Sequence, residues 1–187
     1  MQIYFKNYPL SLTKIVITGS PGTGKTSIIN VLKKNGYTCF DEYSRILIKL
    51  GKKNGIKNYF LEKPNLFSSK ILDARIKQFN ESENIKESKG DLIFFDRSIY
   101  DTFVYQKFIN KSFIFSSKYN IYKYQKVFVL PPWNKIFLND NERLEDFKTT
   151  KIIDKHINLT YNYYDYKICQ VPKVSIEKRI NFILNNC

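Results

Sequence analysis

The segment Gly19-Ser20-Pro21-Gly22-Thr23-Gly24-Lys25-Thr26 sets glycines at its first and sixth positions and closes on Lys and Thr. That spacing suits a polyphosphate. Glycines let the backbone curl until successive N–H groups point inward as an anion nest. The helix start that follows adds its partial positive charge. Lys25 is expected to reach the β- and γ-phosphates and the Thr26 hydroxyl to ligate Mg²⁺, with Ser27 in the same cradle. The flanks agree with this reading: Lys14-Ile-Val-Ile-Thr18 is a short β-branched run, and Lys25–Lys34 carries Ile28, Ile29 and Leu32 on one helical face. A strand before and a helix after separate a phosphate-binding loop from a chance Gly-rich turn.

Leu92-Ile-Phe-Phe95 is a second apolar strand pattern, and it ends in Asp96. A carboxylate there has the form of a Walker B residue holding Mg²⁺; the plainer role is a helix N-cap. The next residue is Arg97, where many nucleotide hydrolases carry a Glu that polarises water. Arg97 instead suits contact with a substrate anion.

The chain has 31 basic residues, and only Arg45, Arg75, Arg97, Arg143 and Arg179 are arginines. In a lysine-rich chain each Arg marks a place where a planar fork can matter. Arg143, in Asn139-Asp-Asn-Glu-Arg143, is placed to bring a cation over a transferring phosphoryl group; its plainer role is a salt bridge on a helix surface. Arg75 and Arg179 read as structural, and Arg45 stays undecided. Glu42 follows the second strand, at the sheet edge where ligands bind in parallel α/β folds. It is either a base for an attacking hydroxyl or a first-turn Glu favouring a helix dipole. Asp101, Tyr105 and Gln106 are candidates to line an acceptor pocket. Trp133 and the lone histidine, His156, read as packing residues.

These side chains need a scaffold, and the pattern along the chain supplies one. Strands are expected at 14–18, 37–41, 92–96, 126–130 and 167–171. Helices are expected at 25–34, 42–50, 65–87, 99–109, 141–164 and 175–185, the last N-capped by Ser175. Residues 52–64 read as a loop, 1–13 as a short leader and 110–124 as an insertion or mobile segment. Alternating strands and helices predict one α/β domain over 1–187, a parallel sheet of about five strands with helices on both faces.

Composition bounds the function. With 187 residues, 43% hydrophobic and 26% charged, the chain can bury a full core. No apolar run is long enough for a membrane helix, and the first residues lack the pattern of a signal peptide. Three cysteines without metal-ligand spacing point to a reducing cytoplasm. The net charge of +14 invites nucleic acid or anionic lipid as a partner. No motif supports either, and the scattered lysines match an AT-rich codon bias.

Taken in order, the phosphate loop, Phe40-Asp-Glu-Tyr-Ser-Arg45, Phe94-Phe-Asp-Arg97, Val127-Phe-Val-Leu-Pro-Pro-Trp133, Asn139-Asp-Asn-Glu-Arg143 and Ser175-Ile-Glu-Lys-Arg179 resemble a known group. It is the family of small P-loop domains labelled AAA-type ATPase domains. That family includes the ribosylnicotinamide kinase part of a bacterial NAD regulator and an animal protein of TRP-channel trafficking. Asp96-Arg-Ser-Ile-Tyr-Asp-Thr-Phe-Val-Tyr-Gln106 is also similar to the strand end and acceptor helix of thymidylate and deoxynucleoside kinases. The resemblance implies a three-layer P-loop NTPase fold and phosphate binding by Gly19–Thr26. It further implies Mg²⁺ near Asp96, a base or acceptor contact at Glu42, acceptor or phosphate contact by Arg97, and a lid cation at Arg143.

The leading expectation is therefore a Mg²⁺-dependent kinase of nucleoside or nucleotide type, with ATP, or alternatively GTP, as donor and a small molecule as acceptor. The alternative is a nucleotide switch or weak NTPase working through a protein or lipid partner. The absence of Asn-Lys-x-Asp for reading guanine, and of residues enough for an AAA+ helical domain, lowers that alternative.

Overall fold

The computed structural model describes residues 12–56, 59–137 and 146–187. Most of the expected leader, the Asn139–Arg143 segment and Arg143 itself lie outside the described residues.

Five strands form one parallel sheet: β1 (Thr13–Thr18), β2 (Thr38–Phe40), β3 (Leu92–Asp96), β4 (Lys126–Val129) and β5 (Ile168–Gln170), in the order β2-β3-β1-β4-β5. Strand alternation divides the core between the two faces. Ile15, Ile17, Phe94 and Phe128 point to one side, where they meet Ile28, Ile29 and Leu32 of α1 (Lys25–Lys34) and Ile180 and Ile183 of α7 (Ile176–Asn185). Val16, Ile93, Phe95, Val127 and Val129 point to the other. There they meet α4 (Pro64–Glu83), α5 (Tyr100–Ile109) and α6 (Phe147–Tyr163) through Phe79, Phe103, Val104, Ile153 and Ile157. Both faces are covered, as a parallel sheet requires.

Several boundaries differ from the sequence pattern. α2 runs Ser44–Lys53, and a short α3 (Tyr59–Glu62) falls within the expected loop. These elements close a separate small core of Leu47, Tyr59, Phe67 and Ile71. α6 starts at Phe147, later than the pattern suggests, because Asp146 caps it by accepting from the Thr149 N–H at 2.7 Å. Ser175 caps α7 as expected, accepting from the Lys178 N–H.

Residues 110–124, expected as an insertion or mobile segment, are packed onto the core. Phe113, Phe115, Tyr119 and Tyr122 lie against the α5–α6 side, with Tyr124 buried. The Tyr100 hydroxyl donates to the carbonyls of Tyr119 (3.0 Å) and Tyr122 (2.7 Å), fastening the segment to α5. Among the described residues no helix is long and apolar enough to cross a membrane.

Candidate functional site

The loop Gly19–Thr26 leaves the end of β1 and enters α1. Its turns need backbone that side chains rarely adopt: Gly22 has φ 78° and Gly24 φ 88°. Space is equally tight, since a Cβ on Gly22 would lie 2.5 Å from the Phe137 ring and one on Gly24 3.0 Å from the Arg179 guanidinium. The Thr23 hydroxyl closes the loop by donating to the Ser20 carbonyl at 2.9 Å. Arg179 reaches from α7 to donate to the Thr23 carbonyl at 3.2 Å, its guanidinium 5.7 Å over the Trp133 ring. Arg179 and Trp133 thus brace the loop from outside, in keeping with the packing roles read for them.

Lys25 is buried and donates to the carbonyls of Gly19 (2.8 Å) and Ser20 (2.9 Å). Burial, and then repulsion from Arg97, lower its pKa to about 7. Thr26 and Ser27 are exposed on the first turn of α1, while Ser20 and Pro21 are buried in the loop. The Ser20 hydroxyl has no hydrogen-bond partner in the structure.

β3, beside β1, delivers Asp96 and Arg97. Asp96 is buried, and its Oδ1 makes no hydrogen bond. Desolvation, and then the Glu42 charge, push its pKa up to about 7. A buried carboxylate oxygen without a donor is a group that a cation would satisfy. With the Thr26 hydroxyl on the neighbouring helix turn, the donor set fits Mg²⁺, which takes few protein ligands and completes its shell with water and phosphate. Among the described residues no group of three or more His, Cys, Asp and Glu forms an all-protein metal cage.

Arg97 and Glu42 meet across the ends of β3 and β2. Arg97 Nε donates to Glu42 Oε1 at 2.7 Å, and the Ser44 hydroxyl donates to the same oxygen at 2.8 Å. Arg45 Nε lies 3.9 Å from Glu42 Oε2. Burial alone would raise the Glu42 pKa, but Arg97, Lys25 and the Ser44 hydrogen bond hold it down at about 2. Glu42 is therefore an ionised, oriented acceptor and a weak base.

One placement differs from the sequence reading. Asp101 is fully buried and turned inward, so it does not line a pocket; Arg97 NH1 donates to its Oδ1 at 3.2 Å. Arg75, read as structural, is buried on α4 and donates to Thr102 Oγ1 at 2.9 Å. Its charge acts on both Glu42 and Asp101. Tyr105 lies with its ring 5.6 Å from the Arg97 guanidinium. Sequence spacing carries a signal for Asp101, because Ser98-x-x-Asp101 has capping-box form. Arg75 has no such local signal, as its neighbours come from other elements.

Solved structures share this fold. A deoxyadenosine kinase from M. mycoides with bound dATP superposes with a TM-score of 0.62 at 22% identity, over 93% of this chain and 98% of that one. NadR in complex with NR gives 0.68 at 14% identity, over 94% of this chain and 50% of that one, so the match spans about half of NadR. Thymidylate kinase from Ehrlichia chaffeensis gives 0.57 at 13% identity, over 93% and 97%. At these identities the likeness establishes an α/β nucleotide-kinase fold. A search of curated proteins finds no match. The family model described as an AAA domain matches residues 14–179, and the chain belongs to that family.

Proposed function

We propose that the protein is a Mg²⁺- and ATP-dependent small-molecule kinase whose acceptor is a nucleoside or nucleotide. The observation that carries this reading is the ion pair between buried Arg97 and partly buried Glu42 at the C-terminal ends of β2 and β3, beside the phosphate loop that follows β1. Many nucleotide hydrolases aim a carboxylate at water from the residue after the Walker B carboxylate; here that position holds an arginine paired to Glu42. The deoxyadenosine and thymidylate kinases that share the fold add support.

In this mechanism the loop N–H groups and Lys25 hold the donor phosphates, and Lys25 exchanges its two carbonyl partners for phosphate oxygens. Mg²⁺, held by Thr26 and Asp96, would offset phosphate charge as the γ-phosphoryl group leaves. Where the acceptor is a hydroxyl, Glu42 accepts its hydrogen bond, fixes its direction and takes its proton as the new O–P bond forms, later releasing it to solvent. A loose phosphoryl-transfer transition state asks more for positioning than for a strong base, which suits a carboxylate with a pKa near 2. Arg97 steadies Glu42 and offers its charge to the acceptor. Arg143 remains the candidate lid cation. In this proposal the chain folds as one domain. The three cysteines are free thiols, and burial raises the pKa of Cys39 to about 12, which keeps it protonated at neutral pH, in keeping with the reducing cytoplasm proposed here.

The test is Mg²⁺-dependent ADP formation from ATP, alone and with nucleosides, nucleoside monophosphates and vitamin-derived ribosides. Stimulation by one class supports the kinase. Tight nucleotide binding with slow ADP formation that no compound stimulates would favour a switch.

A further inference from the structure

We infer that Asp101 is a positioning residue that holds Arg97 in its working conformation and ties it to β1 and α6. The inference rests on the kinase reading for its consequence, though not for its geometry.

Arg97 has φ 73°, a left-handed backbone conformation that a non-glycine residue keeps only where its surroundings enforce it. The Arg97 N–H donates to the Ile17 carbonyl at 3.1 Å and its Nε to Glu42 Oε1 at 2.7 Å, and the remaining hydrogen bonds that hold this turn converge on Asp101. Oδ1 of Asp101 accepts from the Thr18 hydroxyl and from Arg97 NH1 at 3.2 Å. Oδ2 accepts from the Ser98 N–H at 2.9 Å and from the Tyr161 hydroxyl at 2.6 Å. One carboxylate thus joins the last residue of β1, the two residues after β3, and α6. Burial would neutralise it, but Arg97, Arg75 and these donors keep its pKa below the usual carboxylate value.

Helix capping alone would account for the Ser98 bond and nothing more. The bonds to Thr18, Tyr161 and Arg97 lead away from the cap, toward the loop and the acceptor side. Arg97 then has its Nε on Glu42 and its NH1 on Asp101, which fixes the plane of the guanidinium. Fixing that plane also fixes Glu42, the group that would orient the acceptor hydroxyl.

The test uses the five arginines of the chain. Arginine Nε–H resonances are recorded by NMR, and that of Arg97 is identified by its loss in Arg97→Lys. In the wild type it should exchange slowly with solvent. Asp101→Asn removes the carboxylate from NH1, frees the guanidinium plane and so loosens the Nε–H bond to Glu42, which should speed that exchange by about tenfold or more, with the Arg179 signal unchanged. Tyr161→Phe should act in the same direction more weakly and keep nucleotide affinity, and it carries the test if Asp101→Asn does not fold. With an acceptor identified, Tyr161→Phe should raise the acceptor KM more than it lowers kcat. An unchanged Arg97 signal in Tyr161→Phe, or a loss of nucleotide affinity in that variant, would overturn the inference. If the Arg97 signal responds as expected while no compound stimulates ADP formation, the positioning role stands and the kinase reading falls.

Discussion

Lys25 and Asp96 are both buried and act on each other's charge, and the roles proposed for them need opposite proton states. Lys25 must be charged to hold phosphate, and its pKa is lowered to about 7. Asp96 must be ionised to hold Mg²⁺, and its pKa is raised to about 7. As pH falls through 7 Asp96 takes a proton, and Mg²⁺-dependent nucleotide affinity drops. As pH rises through 7 Lys25 loses one, and phosphate affinity drops. The affinity of Mg²⁺-ADP, followed by calorimetry, should therefore be bell-shaped about neutrality, and a flat profile would contradict the site. Asp96→Asn should remove the acid limb and keep the alkaline one. Lys25→Ala should weaken ADP binding by about 100-fold or more, since it removes a charge-assisted contact to phosphate. Unchanged binding would rule out the loop as the phosphate site.

At the level of elements, the strand ends decide which groups meet. β2 and β3 are neighbours, and the paired register Phe40–Phe95 brings Glu42 and Arg97 into reach. Glu42→Gln should lower phosphoryl transfer by about 100-fold, the low end for loss of a general base because this carboxylate is a weak one, while nucleotide affinity holds. Equal losses in both would show that Glu42 only supports the fold. β1, α1, β3 and β4 were legible because their signals are local: a β-branched or aromatic run, a helical face, a Gly-rich loop between them. The phosphate loop and the Asp96-Arg97 strand end were legible for the same reason. The Glu42–Arg97 pair needed the strand order, and Arg75 needed the packing of α4. Residues 110–124 misled because their polar composition hides aromatic rings. Tyr100 on α5, and Tyr164 and Tyr166 just after α6, give their hydroxyls to backbone carbonyls of that segment, which lets rings on both sides pack against one another.

For the whole molecule, the sheet sets the stability and the net charge sets the approach of ligands. Phe128 is fully buried between α1 and α7 at the centre of one sheet face. Phe128→Ala should cost about 3–5 kcal/mol in urea unfolding, and a loss below about 1 kcal/mol would mean that this face is loosely packed. With +14 net charge, nucleotide association should be fast and should slow as salt is added, with dissociation much less affected. Stopped-flow fluorescence of the single tryptophan, Trp133, would follow it. What separates the proposed kinase from a hydrolase is transfer of the γ-phosphoryl group to an organic acceptor and not to water. Its most direct test is to follow γ-labelled ATP with Mg²⁺ and the nucleoside and nucleotide panel, measuring label in phosphorylated product against label in inorganic phosphate. Label carried mainly into one acceptor, and lost with Glu42→Gln, is the expected result. Label appearing only as inorganic phosphate, at one slow rate whatever is added, would contradict it.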